Sequence, residues 1–338
     1  MKLLILGGLK FVGRHLIEAA LAANHEVTVF NRGKTNPNAY PEVEKLRGDR
    51  DGGLTALHGR TWDAVIDTSG YLPRLVADSA RLLADQVGYY AFVSSISVYA
   101  SVAAPYQDES APVGKLADES VEEMNGDTYG PLKALCEQAV ERYFPQRSLH
   151  VRAGLIVGPH DPTDRFSYWT WRVDQGGEAL APGAPDKPVQ FVDGRDLAAW
   201  VMGMIAKGQA GVFNVTGPAA PLSWGEMLAA CQTAAANPAQ WTWVDDDFLL
   251  AQDVQPWRDL PLWVPDSTGE MAGFYAIDCR RAIAAGLTFR PLAQTVADTL
   301  TWLKQRDDWA GQIGLSAVRE TAVLQAWRAK NERSQREE

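Results

Sequence analysis

The apolar run Leu3-Leu4-Ile5-Leu6 passes through two glycines into Phe11–Ala23, where apolar positions recur at helical spacing. Together they predict a buried parallel strand that turns directly into a helix. The alternation continues with strands at Glu26–Phe30, Trp62–Asp67, Tyr89–Ser94 and Leu149–Val157, and with helices at Leu72–Ala84 and Tyr129–Tyr143. Such a series is the pattern of βαβ units. It predicts an α/β fold, a doubly wound parallel sheet with its ligand along the carboxyl ends of the strands.

Beyond Gly158 the pattern becomes irregular. Pro159, Pro162, Pro182, Pro185 and Pro188 punctuate it, and tryptophans gather at positions 169, 171, 200, 224, 241 and 243. A smaller, irregular α/β substrate lobe is expected there. Gln190–Val192 and Gly211–Val215 still read as strands, and Gly194–Ala206 as a helix that rejoins the first sheet. The expected division is therefore 1–158 for the nucleotide-binding domain, 159–310 for the substrate lobe with 188–217 returning to the sheet, and 311–338 for a charged helical tail, solvated or frayed.

Composition narrows the class. The 338 residues are 46% hydrophobic and 22% charged, enough for a large core, and the net charge of −10 argues against a protein that coats nucleic acid or anionic lipid. Cys136, Cys231 and Cys279 are odd in number and far apart, which fits free thiols in a reducing cytoplasm. Met1-Lys2 runs straight into strand residues with no signal-peptide pattern, and no apolar run approaches a bilayer span. The five histidines are dispersed, so no metal is expected.

The chemistry starts at Gly7-Gly8-Leu9-Lys10-Phe11-Val12-Gly13. Gly7 suits a tight turn and Gly13 close packing of helix on strand, so that a pyrophosphate meets the helix N-terminus in the manner of a Rossmann dinucleotide site. Lys10 stands where the middle glycine is usual. The second strand ends in Asn31-Arg32, where an NAD-specific protein would present a carboxylate to the ribose 2′-hydroxyl. With Lys10 and Arg32 as cations for a 2′-phosphate, the expected cofactor is NADP(H), with NAD(H) possible. Arg32 and Lys34 as plain exposed loop charges are the alternative. Asp49 is the candidate acceptor for the adenine amino group, and Thr68-Ser69-Gly70-Tyr71 should lie against the adenosine side or the pyrophosphate.

Val93-Ser94-Ser95-Ile96-Ser97-Val98-Tyr99 follows the fifth strand, and Tyr129-Gly130-Pro131-Leu132-Lys133 comes some thirty residues later. Tyrosine and lysine four apart share a helix face, so the ammonium can favour the ionised phenol. A serine hydroxyl could hold a substrate oxygen while hydride passes to or from nicotinamide. In this order, the motifs resemble the extended short-chain dehydrogenase/reductase superfamily, specifically its NAD-dependent epimerase/dehydratase group, over about residues 1–305. The resemblance implies that Ser95 is the catalytic serine and Tyr129 the acid/base, that Lys133 binds the nicotinamide ribose, that Ser94 lies at the cofactor, and that the protein is a homodimer. The basic Lys10 resembles a subgroup with isoflavone-reductase-like and chloroplast stem-loop-binding members.

On the substrate side, Ser97, Asp164, Arg165, Tyr168, Trp169 and Arg195 are the candidates, the aromatic residues as a stacking wall or as lobe core. From Gly211 to Ala276 the only basic residue is Arg258, against Asp245, Asp246, Asp247, Asp253, Asp259 and Asp266. That balance argues against a nucleotide diphosphate, and Trp257, Leu260, Leu262 and Trp263 suggest an apolar cover more compatible with a small aromatic, terpenoid or polyketide-like carbonyl compound. The leading reading is thus an NADP(H)-preferring oxidoreductase acting on a small carbonyl or alcohol. The alternatives are an epimerase or dehydratase of a nucleotide sugar and a non-catalytic dinucleotide sensor or RNA-binding protein on the same fold.

Overall fold

The computed structural model describes residues 1–306 and 313–337. Seven strands form one parallel sheet: β1 (Lys2–Leu6), β2 (Glu26–Asn31), β3 (Glu44–Arg47), β4 (Trp62–Asp67), β5 (Val87–Ser95), β6 (Ser148–Ala153) and β7 (Gly211–Val215). Their order is β7-β6-β5-β4-β1-β2-β3, so the chain winds outward from β1 in both directions and leaves a crevice at the reversal. The fold is a Rossmann-like α/β fold.

Both faces of the sheet are covered, which explains the unbroken apolar strands. Because side chains alternate along a strand, Leu3 and Ile5 join one cluster with Leu16 and Ile17 of helix α1 (Val12–Ala22) and with Leu197 and Val201 of a later helix at Gly194–Lys207. Leu4 and Leu6 join the other, with Val76 and Ala80 of α2 (Pro73–Leu83) and Cys136 and Val140 of α3 (Tyr129–Tyr143).

One compact unit comprises Met1–Ile156, Phe191–Ala219 and Ala276–Phe289. Its third segment was not among the expected returns to the sheet. Ala282 and Leu287 lie in the sheet core, and the Asn214 side-chain amide donates to the Asp278 carbonyl at 3.0 Å. The expected strand Leu149–Val157 is two: one ends at Ala153, and a separate short strand occupies Ile156–Val157. Gln190–Val192 is likewise not one strand: short strands occupy Pro188–Val189 and Val192–Asp193.

The other unit comprises Val157–Gln190, Ala220–Tyr275 and Arg290–Glu338. In it the parallel strands Glu178–Pro182 and Gln240–Val244 pair, and the helix Trp224–Ala234 opens on a capping box between Ser223 and Glu226. The expected solvated tail is corrected in part. Within the helix Ala317–Glu337, Glu320 is buried and receives Arg172 Nε at 2.7 Å and the Leu180 amide at 2.9 Å, while Val323 and Leu324 join the core. Residues 307–312 and 338, part of the expected tail and of its junction, lie outside the described residues.

Among the described residues, no helix is long and apolar enough to cross a membrane, and no group of three or more His, Cys, Asp or Glu could hold a metal ion. The three cysteines are buried and unpaired by disulfides.

Candidate active site

The turn between β1 and α1 is built from conformations and distances that only glycine meets. Gly7 and Gly8 have φ of 99° and 90°, and a β-carbon on Gly13 would lie 2.5 Å from the Gly8 Cα. Phe11, at φ 38°, precedes Val12 without a side-chain cap, and the first turn of α1 holds no acidic residue. A helix start without a side-chain cap or an acidic first turn, beside closely approached backbone, is what a pyrophosphate needs, so the residues fit a dinucleotide.

Asn31 is bonded within the protein on both sides of its amide. Its side-chain amide donates to the Gly7 carbonyl at 2.9 Å, and its Oδ1 accepts the Gly33 amide at 2.9 Å and Arg47 Nη1 at 2.6 Å. It ties the glycine turn to the ends of β2 and β3. Asn36 adds a second tie, donating to the Leu9 carbonyl at 2.9 Å. Lys10 and Arg32 are exposed, and no described residue forms an ion pair with either. Sequence reasoning missed Arg47, which lies against Gly33; the register pairing Asn31 with Arg47 was not visible without the sheet.

After β3, Asp49 is exposed and accepts the Asp51 amide at 3.1 Å. Its neighbour Arg50 turns inward and grips the fully buried Asp67 with both terminal nitrogens, at 2.7 and 2.5 Å. Burial alone would raise the Asp67 carboxyl, but the Arg50 charge and hydrogen bonds overcome it and hold the group below the usual carboxylate range. Tyr90 donates to the same carboxylate at 2.8 Å, and the Ser69 amide donates to it at 3.0 Å. Asp67 thereby fixes the turn Thr68-Ser69-Gly70. Thr68 Oγ1 donates to the Leu6 carbonyl at 2.9 Å, which binds this turn to the glycine turn. Gly70 is small for an internal reason: a β-carbon there would lie 2.4 Å from the Phe92 ring.

The serines at the end of β5 divide. Ser94 is 4% exposed, and its hydroxyl donates at 2.6 Å to Glu137, which also pairs with Arg152 at 2.8 Å. Its hydroxyl thus joins sheet to α3. Ser95 Oγ accepts the Ser97 amide and donates to Ser97 Oγ, both at 3.1 Å, capping the short turn Ile96–Val98. Ser97 is exposed, and with Tyr129 it lines a cavity of about 790 Å³. Gly130 brings Tyr129 to this turn, since its Cα packs on the Ser97 carbonyl with no room for a side chain.

Lys133 is 3% exposed. Its ammonium donates to the carbonyls of Gly70 and Val93, each at 2.7 Å, and stands 4.0 Å from the centre of the Phe92 ring. Two of its three N–H groups are thus used on backbone. Burial pulls its pKa down to about 8. Tyr71, the end of the segment expected at the cofactor, lines the same cavity, as do Lys115, Met124, Asn125 and Asp127, which sequence reasoning missed. Apart from Tyr71, they come from an aperiodic loop that carried no signal.

Four substrate candidates are engaged in other ways. Tyr168 and Trp169 are fully buried and pack edge to face at 4.9 Å, with Trp169 also against Trp224 at 5.0 Å and donating to the Pro261 carbonyl at 2.7 Å. They are core of their unit, not a wall. Asp164 receives Arg306 at 2.8 Å. Arg195 grips Asp193 at 2.9 and 2.7 Å where that aspartate caps the helix starting at Gly194. Arg165 donates to Thr163 Oγ1 at 3.0 Å and lies 5.4 Å from the Trp257 ring centre. Thr163 in turn donates to the buried Asp161 at 2.7 Å.

No protein-family model matches the chain, and no curated protein matches it in sequence. Among solved structures it is similar to MoeE5 in complex with UDP-glucose and NAD, at 16% identity over 90% of this chain and 99% of that one, with a TM-score of 0.63. UDP-glucuronic acid 4-epimerase from Bacillus cereus in complex with NAD gives 14%, 90%, 99% and 0.64. The human epimerase family protein SDR39U1 with NADPH gives 18%, 89%, 99% and 0.58. At these identities the likeness is one of fold, and the fold is the one expected from the resemblance to the extended short-chain dehydrogenase/reductases.

Proposed function

We propose that the protein is an enzyme, an oxidoreductase that uses NADP(H) in preference to NAD(H) to reduce or oxidise a small carbonyl or alcohol. The observation that supports it best is one cavity lined by both Ser97 and Tyr129, with Ser95 hydrogen-bonded to Ser97 and Lys133 buried one helical turn beyond Tyr129. A bound nicotinamide supplies or accepts the hydride. The chain's own residues hold the substrate oxygen and move its proton.

In this reading the Tyr129 phenol gives its proton to the oxygen as a carbonyl is reduced and takes it back as an alcohol is oxidised. Ser95 holds that oxygen. A phenol near its ordinary pKa of about 10 is a weak base at neutral pH, so the Lys133 charge favours its ionised form. The glycine turn from Gly7 to Gly13 would hold the pyrophosphate, Lys10 and Arg32 the 2′-phosphate, Asp49 the adenine amino group and Lys133 the nicotinamide ribose. Arg165, stacked on Trp257, is the candidate anchor for a carbonyl or anionic substrate group. A homodimer and a cytoplasmic location belong to the same proposal, and sedimentation of the purified protein tests the first.

Epimerisation of a nucleotide sugar is the second reading, favoured by the UDP-glucose named with MoeE5 and by the 4-epimerase of similar fold. The two readings separate when purified protein is mixed with NADPH and a panel of carbonyl compounds. Stoichiometric loss of NADPH supports reduction, whereas a cofactor that stays bound and unconsumed supports epimerisation. Tyr129→Phe should abolish turnover and leave dinucleotide affinity nearly unchanged; persistent turnover would sink the mechanism.

A further inference from the structure

Arg74, in the first turn of α2, holds two loops with one guanidinium. Nη1 and Nη2 donate to the two oxygens of Asp51 at 2.8 and 3.2 Å, while Nε and Nη2 donate to those of Glu122 at 2.9 and 3.3 Å. Asp51 belongs to the turn after β3, where its amide donates to Asp49, the candidate adenine acceptor. Glu122 belongs to the segment 115–127, which brings Lys115, Met124, Asn125 and Asp127 to the cavity beside Tyr129.

Among the described residues, that segment's other hydrogen bonds stay within 115–129. Its hydrogen bonds run from Ser120 to Asp118, from Asp127 and Thr128 to Asn125, and from Thr128 to Glu123. Among the described residues, the contact between Arg74 and Glu122 is the only hydrogen bond or ion pair joining 115–127 to anything outside 115–129. The three charged side chains are about half exposed, at 48% for Arg74, 60% for Asp51 and 46% for Glu122. Ion pairs that exposed are weak, so this link can open and close, unlike the buried grip of Arg50 on Asp67.

We infer that Arg74 is a positioning residue that couples the adenine end of a bound dinucleotide to the wall of the substrate cavity. An adenine on Asp49 orders the turn that carries Asp51, Asp51 orients Arg74, and Arg74 holds 115–127 in place beside Tyr129. The inference rests on the dinucleotide reading above. It goes further by making the cavity wall respond to the far end of the cofactor.

Amide hydrogen exchange of the full-length protein, read on peptides covering 115–127 with and without saturating NADP+, tests it, with affinity titrated alongside. In the wild type, NADP+ should slow exchange of this segment about fivefold. Arg74→Ala should exchange about fivefold faster without cofactor and lose the response, while still binding NADP+. Asp51→Ala, which leaves the grip on Glu122, should keep the slow basal exchange and lose the response to NADP+. If Arg74→Ala binds NADP+ and its segment slows as much as in the wild type, the coupling is wrong. If the wild type binds neither NADP+ nor NAD+, the dinucleotide reading fails first and takes this one with it.

Discussion

Gly130 lies so close to the Ser97 carbonyl that a β-carbon on it would fall 2.0 Å from the oxygen. The residue beside the candidate acid/base is thus in van der Waals contact with the turn that carries the candidate serine. Gly130→Ala must push helix α3 and the turn Ile96–Val98 apart, at a cost of about 1–3 kcal/mol. Thermal unfolding should show the loss of stability, and turnover should fall far more than dinucleotide affinity, because Ser95 and Tyr129 no longer share one geometry.

Asn31 and Arg32 are adjacent and should behave oppositely. Arg32→Asp replaces a cation by a carboxylate that repels a 2′-phosphate, so the ratio of NADP to NAD affinity should drop by about 10- to 100-fold. Asn31→Ala breaks the tie to the Gly7 carbonyl and should weaken both dinucleotides alike. Titration of the two cofactors against each variant reads the difference. An unchanged ratio in Arg32→Asp and Lys10→Gly would remove the 2′-phosphate assignment.

The buried Lys133 gives a pH dependence. Its pKa is pulled from 10.5 to about 8. The unfolded chain therefore binds the proton more tightly, and this group adds stability as the pH rises from about 8 towards 10.5. Activity that needs the charged ammonium moves the other way and falls as the pH rises through about 8. A turnover profile with its alkaline limb near 8, lost in Lys133→Arg, is the expected result; a limb close to 10.5 would show an ammonium that burial does not perturb.

Trp169 and Arg165 separate core from site. Trp169→Ala empties the aromatic cluster with Tyr168 and Trp224 and should cost about 3–5 kcal/mol in denaturant unfolding. Arg165→Ala, at a side chain stacked on Trp257, should leave stability within about 0.5 kcal/mol and raise KM.

The sheet was readable wherever strands are buried on both faces, because Leu3–Leu6 and Trp62–Asp67 admit few other uses. The edge strand Glu44–Arg47, with three charged residues of four, carried little apolar signal. Within the candidate site, the glycine turn and the spacing of Tyr129 and Lys133 are local patterns and could be read directly. What could not be read is which polar groups the fold keeps for itself. Asn31, Ser94 and Asp164 looked available, yet each is bonded within the protein to a partner 24 or more residues away, such as Ser94 with Glu137. The wall of the cavity at 115–127 escaped for another reason: its short side-chain turns have no period to recognise.

The sheet-bearing unit draws its last piece, Ala276–Phe289, from late in the chain. Asn214 waits for the Asp278 carbonyl, and the Gln107 carbonyl waits for the Asp278 amide at 3.0 Å. During synthesis, then, the last segment of this unit leaves the ribosome well after β7, and until it does the edge at β7 and the turn around Gln107 lack their partner. A fragment ending at Ala219 would contain all seven strands and still lack the segment that seals them.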